Sequence, residues 1–184
     1  MYNLLAITNR KLCSGDFLKQ IERVANLNPM GIVLREKDLS QEEYKNMAIS
    51  VIEICKKNKI NCILHSHLDV AIELKVDKIH LPLQIMKSNL EKIKQFKVIG
   101  VSIHSVEEAK EAERLGATYI TAGHIFKTDC KKGVPPRGIN FLKDVCKNVS
   151  IPVYAIGGIT DENFKDVLNA GAYGVCMMSS LMNI

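Results

Sequence analysis

"KVIGVSIHSVEEAKEAERLGATYITAG" (residues 97–123) contains two short apolar runs on either side of one amphipathic segment. The runs at 97–102 and 118–123 are rich in β-branched residues, which predicts two strands. Between them, apolar side chains recur at the spacing of one helix face, at Val106, Ala109, Ala112 and Leu115. The stretch therefore predicts a strand, a crossover helix and a second strand that lies parallel to the first.

The same alternation continues along the whole chain of 184 residues. "ERLGATYITAG" (113–123) and "VLNAGAYGVCM" (167–177) look like two copies of one unit, in which a helix ends at Gly116 or Gly171 and a strand follows. Capping-box spacing marks two helix starts, Ser40 with Glu43 and Ser105 with Glu108. Strands are predicted at 3–8, 31–34, 61–65, 78–81, 97–102, 118–123, 152–157 and 174–178.

Eight nearly continuous apolar strands separated by helices imply a parallel sheet that helices cover. A closed (β/α)8 TIM barrel is the simplest arrangement of this α/β pattern, and we predict a single domain over 1–184. A doubly wound open sheet is the alternative, although "AITNRKLCSGD" (6–16) is not the glycine fingerprint of dinucleotide-binding folds. Because the chain is shorter than the typical ~250 residues of such barrels, we expect the eighth helix to be truncated or absent.

The composition argues against several classes of protein. With 47% hydrophobic and 24% charged residues, the chain is typical of a folded globular protein rather than a disordered one. Its net charge of +5 comes from dispersed lysines, and only 5% of residues are aromatic, so a nucleic-acid surface is not indicated. No apolar run reaches the roughly 18 residues of a membrane span. The six cysteines form no CxxC pair, which fits a cytoplasmic location.

In TIM barrels the active site lies at the carboxyl ends of the strands, so the residues that follow each strand are the candidates. Gly157 and Gly158 follow the seventh predicted strand and enter a helix, where backbone amides favour an anion. Met178 and Ser179 follow the eighth strand, and this pair of loops commonly binds phosphate in barrels. We therefore predict a phosphate site, with a simple tight turn at the two glycines as the alternative.

Two cations follow the second predicted strand in "LREKD" (34–38). Arg35 and Lys37 alternate with Glu36 and Asp38. The planar guanidinium of arginine suits a carboxylate or a phosphate, so an anionic group of the substrate is the natural partner. An ordinary charged turn before the next helix is the alternative.

Among the histidines, His124 is the candidate acid/base residue. It follows Ala122 and Gly123 at the end of the sixth predicted strand, and an imidazole can accept and return a proton near neutral pH. His80 lies inside a strand and is interpreted as structural. Three further residues, His65, His67 and Asp69, suggest a metal site only weakly, because no other ligand cluster has suitable spacing. Cys130 lies near two lysines, but we interpret it as a passive loop cysteine.

These segments together resemble the thiamine phosphate synthase/TenI superfamily of small TIM barrels. The resemblance rests on "GVSIHSVEEAKEAERLGATYITAGHIFKTDCKKGVPPRGINFL" (100–142) and "IPVYAIGGITDENFKDVLNAGAYGVCMMSS" (151–180), and it extends to "AITN" and "LREKDLS" near the start. "GHIFKTDCKKG" (123–133) is similar to the TenI branch, the thiazole tautomerases, because the synthases usually have proline in place of His124.

The tautomerase resemblance implies a 1,3-proton shift that converts an ylidene dihydrothiazole carboxylate phosphate into the aromatic thiazole, with no metal and no cofactor. His124 matches the family's acid/base histidine by its place in "GHIF". The resemblance also implies that Gly157, Gly158 and Ser179 bind the phosphate. Arg35 and Lys131 match positions that bind anions in the related synthases, and we assign them to the substrate carboxylate or to charge that develops near it.

The synthases usually have asparagine, aspartate and arginine after the third strand and an aspartate after the fourth, which hold magnesium and pyrophosphate. This chain has His65, Ser66 and His67 at the first place and "LPLQIM" (81–86) at the second. Magnesium prefers oxygen ligands, so condensation with a pyrophosphate is disfavoured.

Two other functions stay open. One is a thiamine phosphate synthase that condenses pyrimidine pyrophosphate with thiazole phosphate, and the other is a non-catalytic ligand-binding or regulatory protein of the TenI type. The expected partner is a phosphorylated thiazole rather than a nucleic acid or a membrane. For the regulatory alternative, the basic pI of the chain would instead reflect a macromolecular partner. A homodimer is expected because a second copy could cover the gap left by a missing eighth helix.

Overall fold

Eight parallel strands close into a barrel in the computed structural model, which describes residues 3–128 and 133–184. Each strand pairs with its neighbours in chain order, and β1 pairs with both β2 and β8. The predicted (β/α)8 barrel is confirmed, and the open-sheet alternative is wrong because the sheet has no free edge. The strands are β1 (Asn3–Ile7), β2 (Gly31–Leu34), β3 (Asn61–His65), β4 (Lys78–Pro82), β5 (Val98–Ile103), β6 (Tyr119–Gly123), β7 (Val153–Ile156) and β8 (Gly174–Met177).

Helices cover the outside of the barrel between successive strands. Two short helices, α4 and α5, share the connection between β4 and β5. None of the described helices is both long enough and apolar enough to cross a lipid bilayer. The helices are α1 (Phe17–Asn26), α2 (Gln41–Lys57), α3 (Leu68–Glu73), α4 (Leu83–Lys87), α5 (Leu90–Ile93), α6 (Val106–Arg114), α7 (Gly138–Asn148) and α8 (Phe164–Asn169).

The predicted helix caps form at α2 and partly at α6. Ser40 Oγ accepts a hydrogen bond from Glu43 N at 3.3 Å, and the Glu43 carboxylate accepts one from Ser40 N at 2.9 Å, which completes the capping box. At α6, Ser105 Oγ accepts from Glu108 N at 3.1 Å, but the Glu108 carboxylate accepts from His104 N at 2.6 Å. The Glu108 side chain therefore binds the backbone of His104, one residue before the N-cap Ser105, instead of Ser105 itself.

The barrel interior is closed by a packed floor of apolar and aromatic side chains. Gly100 on β5 makes room for two of its neighbours, because a methyl group there would come within 2.5 Å of His80 Nδ1 and nearer still to the Tyr119 ring. Interior side chains beyond this floor face the carboxyl-terminal mouth of the barrel. The residues of the floor are Leu5, Ile7, Val33, Ile63, Tyr119, Tyr154 and Cys176.

The segment after β8 packs across the start of the chain. A 3-10 turn at Ser179–Leu181 follows the strand, and Gln20 Nε2 donates a hydrogen bond of 2.7 Å to Leu181 O. Met182 is buried, and its Sδ lies 3.5 Å from Asn9 N. Within the described residues no α-helix follows β8, in agreement with the expectation of a truncated or absent eighth helix.

Candidate active site

Polar side chains from neighbouring strands meet at the carboxyl-terminal mouth of the barrel. Side chains alternate along a strand, so Arg35 and His65 share the inward face with Val33 and Ile63 of the floor. The registers place His65 beside His80 and Ser102 beside Thr121. We call this group the mouth cluster, and it comprises Arg35, His65, His80, Ser102 and Thr121.

His80 is held by hydrogen bonds at both ring nitrogens. Its Nδ1 lies 2.9 Å from the Tyr119 hydroxyl, and its Nε2 lies 2.8 Å from Ser102 Oγ, which also receives a hydrogen bond of 3.2 Å from Thr121 Oγ1. Burial, followed by the positive charge of Arg35, lowers the pKa of His80 to about 3. The imidazole is therefore neutral, and its contacts agree with the structural role expected from the sequence. Sequence reasoning missed Ser102 and Thr121. Their inward-facing positions on β5 and β6 were the signal that could have identified them.

His65 ends β3 and lies next to His80. The two rings stack with centroids 5.6 Å apart, and Ser66 Oγ lies 2.8 Å from His65 Nδ1. His65 is only 5% exposed. Burial, then the charges of His80 and Arg35, lower the pKa of His65 well below its ordinary value. Like His80, this imidazole is therefore neutral near neutral pH.

The weak metal site at His65, His67 and Asp69 does not form. His67 stacks on Tyr44 with ring centroids 3.9 Å apart, while the Asp69 carboxylate pairs with Lys92 at 2.7 Å. Over residues 3–128 and 133–184 no group of three or more His, Cys, Asp or Glu side chains could hold a metal ion. The ends of β3 and β4 thus do not fit the magnesium that the family's synthases use, because carboxylate oxygens are its preferred ligands.

The charges of "LREKD" separate onto two sides of the strand end. Glu36 is 2% exposed, and its carboxylate accepts hydrogen bonds from Thr8 Oγ1 at 2.7 Å and from Arg10 N at 3.1 Å. Arg10 also forms a bidentate pair with Asp38 at 2.6 and 2.8 Å, which holds the pKa of the Asp38 carboxyl well below its usual range. Both acids are thereby occupied by the segment after β1. Sequence reasoning missed Arg10, although its place in the loop that follows β1 was the signal.

Arg35 and Lys37 keep their charge available at the mouth. In the described part of the chain neither cation has a carboxylate within ion-pair distance. The Arg35 backbone N–H donates to Thr8 Oγ1 at 2.9 Å, which fixes the start of the side chain. Desolvation, and then the charge of Arg35, lowers the pKa of Lys37, although part of that side chain remains exposed. The pair therefore forms a region of positive charge without a carboxylate partner in the described residues, and its assignment to a substrate anion stays a prediction.

His124 lies in a tightly packed loop after β6. Its backbone has a φ of 62°, a left-handed conformation that is uncommon for residues other than glycine, and its side chain is 4% exposed. Arg137 N donates to His124 O at 2.8 Å, and Phe126 N donates to Gly157 O at 2.9 Å. Strained residues of this kind cluster at functional sites. The acid/base hypothesis requires an imidazole that is not turned toward bulk water, and the burial of His124 meets this condition.

Gly157 and Gly158 contact the His124 loop rather than a helix. A methyl group at Gly157, where φ is 108°, would come within 2.8 Å of His124 Cα, and one at Gly158 would come within 2.9 Å of Phe126 Cβ. The expectation that the pair directly enters a helix is wrong, because α8 begins only at Phe164. Close packing against the His124 loop is therefore a sufficient structural reason for both glycines, and the phosphate role stays a prediction.

The other predicted phosphate contacts follow β8. The pairing of Ile156 with Cys176 continues toward Gly158 and Met178, so the two loops are neighbours at the mouth. Met178 is half-buried and Ser179 is exposed at the start of the 3-10 turn. The remaining sequence candidates, Lys131 and Cys130, lie outside the described residues.

Comparison with known proteins gives a consistent family. The family model described as thiamine monophosphate synthase (TMP-TENI) matches residues 4–181. A putative thiamine-phosphate synthase 2 of Aquifex aeolicus is 38% identical over 180 residues, 97% of each chain. A thiamine-phosphate synthase of Clostridium botulinum (strain Loch Maree) is also 38% identical, over 99% of this chain and 91% of the relative. The solved thiamine phosphate pyrophosphorylase of Pyrococcus furiosus superposes with a TM-score of 0.83 at 27% identity, over 98% of this chain and 87% of that one.

The names of the relatives do not support the tautomerase branch over the synthase branch of the family. The relatives are named synthases, which favours the synthase alternative over the tautomerase hypothesis and a transferase over an isomerase. The family's place in thiamine biosynthesis is common to both. With nearly the whole chain matched by the family model and by relatives well above 30% identity, this protein belongs to the thiamine monophosphate synthase (TMP-TENI) family.

Proposed function

We propose that this protein is a thiazole tautomerase of thiamine biosynthesis, which aromatises a thiazole carboxylate phosphate by a 1,3-proton shift. The observation that carries the proposal is His124, a buried imidazole in a strained, tightly packed loop at the end of β6. An imidazole in that place can act as acid and base near neutral pH. The reaction needs such a group and needs no leaving group.

The charge at the mouth supports a substrate with two anionic groups. Arg35 and Lys37 have no carboxylate partner among residues 3–128 and 133–184, so a substrate carboxylate can pair with them. The loops after β7 and β8 are the proposed place for the phosphate, and Lys131 is proposed as a further contact to the carboxylate. His124 would then remove the ring proton, while the bound anions hold the heterocycle in a fixed orientation.

The residues at the ends of β3 and β4 also support a reaction without pyrophosphate. His65 and Ser66 hydrogen-bond to each other, and His67 stacks on Tyr44, so these side chains are engaged in neutral contacts. A synthase would need oxygen ligands for magnesium at this side of the mouth.

Replacement of His124 tests the proposal. We expect His124→Gln to lower the rate of thiazole formation from the ylidene precursor by about 10²–10⁴-fold, the usual contribution of a positioned acid or base. Binding of the aromatic product should persist, because the anion contacts remain. His104→Gln is the matched control, since His104 directly follows the neighbouring strand β5 and has an exposed side chain. An unchanged rate in His124→Gln would remove this residue from the mechanism.

A thiamine phosphate synthase is the second candidate, and the names of the relatives favour it. The wild-type protein should be mixed with pyrimidine pyrophosphate, thiazole phosphate and magnesium, and pyrophosphate release should be followed. Release at a rate that exceeds thiazole aromatisation would assign the synthase function instead. Product binding without turnover in either assay would assign a non-catalytic ligand-binding role.

A further inference from the structure

His65 lies across the barrel mouth from β6, the strand that precedes His124. It is the last residue of β3, and β3 lies three strands from β6 in the closed ring of eight. A small planar heterocycle bound at the mouth would lie between the two strand ends. His65 ends β3 on one side, and His124 follows β6 on the other.

The His65 ring is fixed in position and has one nitrogen available. Ser66 Oγ engages Nδ1 at 2.8 Å, the ring stacks on His80, and its backbone N–H donates to the Tyr44 hydroxyl at 2.9 Å. Across the described part of the chain nothing hydrogen-bonds to Nε2. His80 differs in this respect, because both of its ring nitrogens are bonded within the protein. His65 is thus the imidazole of the mouth cluster that can exchange a proton with a ligand.

We propose that His65 is a second catalytic residue, which returns a proton to the substrate on the side opposite to His124. This inference rests on the proposed tautomerase function. His124 breaks the ring C–H bond and keeps the proton, and the released electron pair forms the new ring double bond. The electron pair of the exocyclic double bond then takes a proton from His65 Nε2, which forms the C–H bond of the side chain. One proton is removed and one is returned, so the substrate keeps its charge, and solvent resets the two imidazoles.

The charges around His65 link its proton to substrate binding. The groups that face it are Arg35 and Lys37 from the end of β2, His67 from the loop after β3, and His80 from β4. Burial and these charges lower the pKa of His65 and favour its neutral form. A substrate carboxylate on Arg35 would cancel part of the positive charge and raise the pKa of His65. Proton uptake would then accompany binding, so the acid would form only when an anionic ligand is present.

Two measurements on the whole protein test this inference. In the first, the imidazole resonances of His65 are followed by NMR from pH 5 to pH 8, with and without the aromatic thiazole carboxylate phosphate. We expect a neutral ring without ligand and a protonated ring with it. His65→Gln identifies the resonance. If the ring stays neutral with the ligand bound, His65 is not the acid, whether or not the protein turns over substrate.

The second measurement follows turnover in deuterated water with a substrate that carries hydrogen at the ring position. With two imidazoles, the product side chain should contain solvent deuterium in nearly every molecule. His65→Gln should lower the rate about 10²-fold or more, whereas His67→Gln, whose parent ring stacks on Tyr44, should not. Wild-type transfer of the ring hydrogen to the side chain would assign both steps to one residue and overturn the inference. An absence of any wild-type turnover would instead contradict the proposed function.

Discussion

At the scale of single residues, Arg35 has the surroundings that most directly favour an anionic ligand. The neighbouring acids Glu36 and Asp38 are both held by Arg10, so the guanidinium of Arg35 has no internal counter-ion in the described residues. The half-buried guanidinium of Arg35 can therefore pair with an anionic group of a ligand, for which its planar donor geometry is suited. The sequence "LREKD" alone does not reveal this separation, because the partner Arg10 comes from another strand end.

We expect Arg35→Gln to weaken binding of the thiazole carboxylate phosphate by about 10–100-fold, since a hydrogen bond to a charged group contributes about 1.5–3 kcal/mol. Isothermal titration calorimetry measures the change. Arg114→Gln is the control, because Arg114 is an exposed arginine of α6 whose ion-pair contact with Glu111 is as long as 4.0 Å. Equal affinity in both variants would contradict the assignment of Arg35 to the anion.

At the scale of elements, the loops after β6 and β7 support each other. Gly157 packs on the backbone of His124, and Phe126 N donates to Gly157 O at 2.9 Å. The φ of 62° at His124 is sustained by these contacts rather than by its own preference. The glycine pair therefore acts on the candidate acid/base residue through packing, in addition to any role toward phosphate.

We expect Gly157→Ala to lower the free energy of unfolding by about 1–3 kcal/mol, because φ is 108° and the new methyl group would meet His124 Cα. The tautomerase rate should fall more than ligand affinity does, since the loop that carries His124 must shift. Gly15→Ala serves as the control, as its site has open space and no positive φ is found there. Urea unfolding and kinetics of both variants give the answer, and matching results for the two would exclude the packing role.

At the scale of the whole molecule, the buried histidines link stability to pH. Burial lowers the pKa of His80 from 6.5 to about 3, and the pKa of His65 moves in the same direction. Between about pH 6.5 and pH 3, the unfolded chain binds a proton at His80 that the folded barrel does not bind. The stabilisation of the folded state that comes from burying the neutral His80 imidazole is therefore complete above about pH 6.5. It is lost as the pH falls from there toward pH 3.

We expect the free energy of unfolding to drop with acidification below about pH 6.5, by up to about 1.4 kcal/mol per pH unit for each buried histidine. His80→Gln should make this dependence shallower, although it also removes the contacts to Tyr119 and Ser102. Urea unfolding at pH 7, 6, 5 and 4 measures the slopes, with His104→Gln as the exposed control. If His80→Gln leaves the slope at its wild-type value, the neutral state of His80 is refuted.

The homodimer also belongs to this scale and stays a prediction. The segment after β8 already covers part of the surface that a helix after β8 would cover, since Leu181 and Met182 are buried against the start of the chain. A second copy is therefore not needed to shield that region.

The amino-acid sequence was sufficient to predict the barrel and to select the strand ends as the candidate site. Strand and helix periodicity, together with the glycines at 116 and 171, depends on local conformational preference, so the predicted strands at 31–34 and 61–65 match β2 and β3. The choice of strand ends as the site also follows from parallel topology, and it selected Arg35 and His124.

Which of those residues lie in contact with one another became clear only from the folded structure. The pairing of Arg10 with Glu36, the stack of His65 on His80 and the packing of Gly157 on His124 each join segments that are distant in the chain. Burial and charge depend on such long-range contacts, and no local pattern encodes them. For that reason a histidine pair without any recognisable spacing, His65 and His80, became part of the mouth cluster, while the motif-like set of His65, His67 and Asp69 did not form a site.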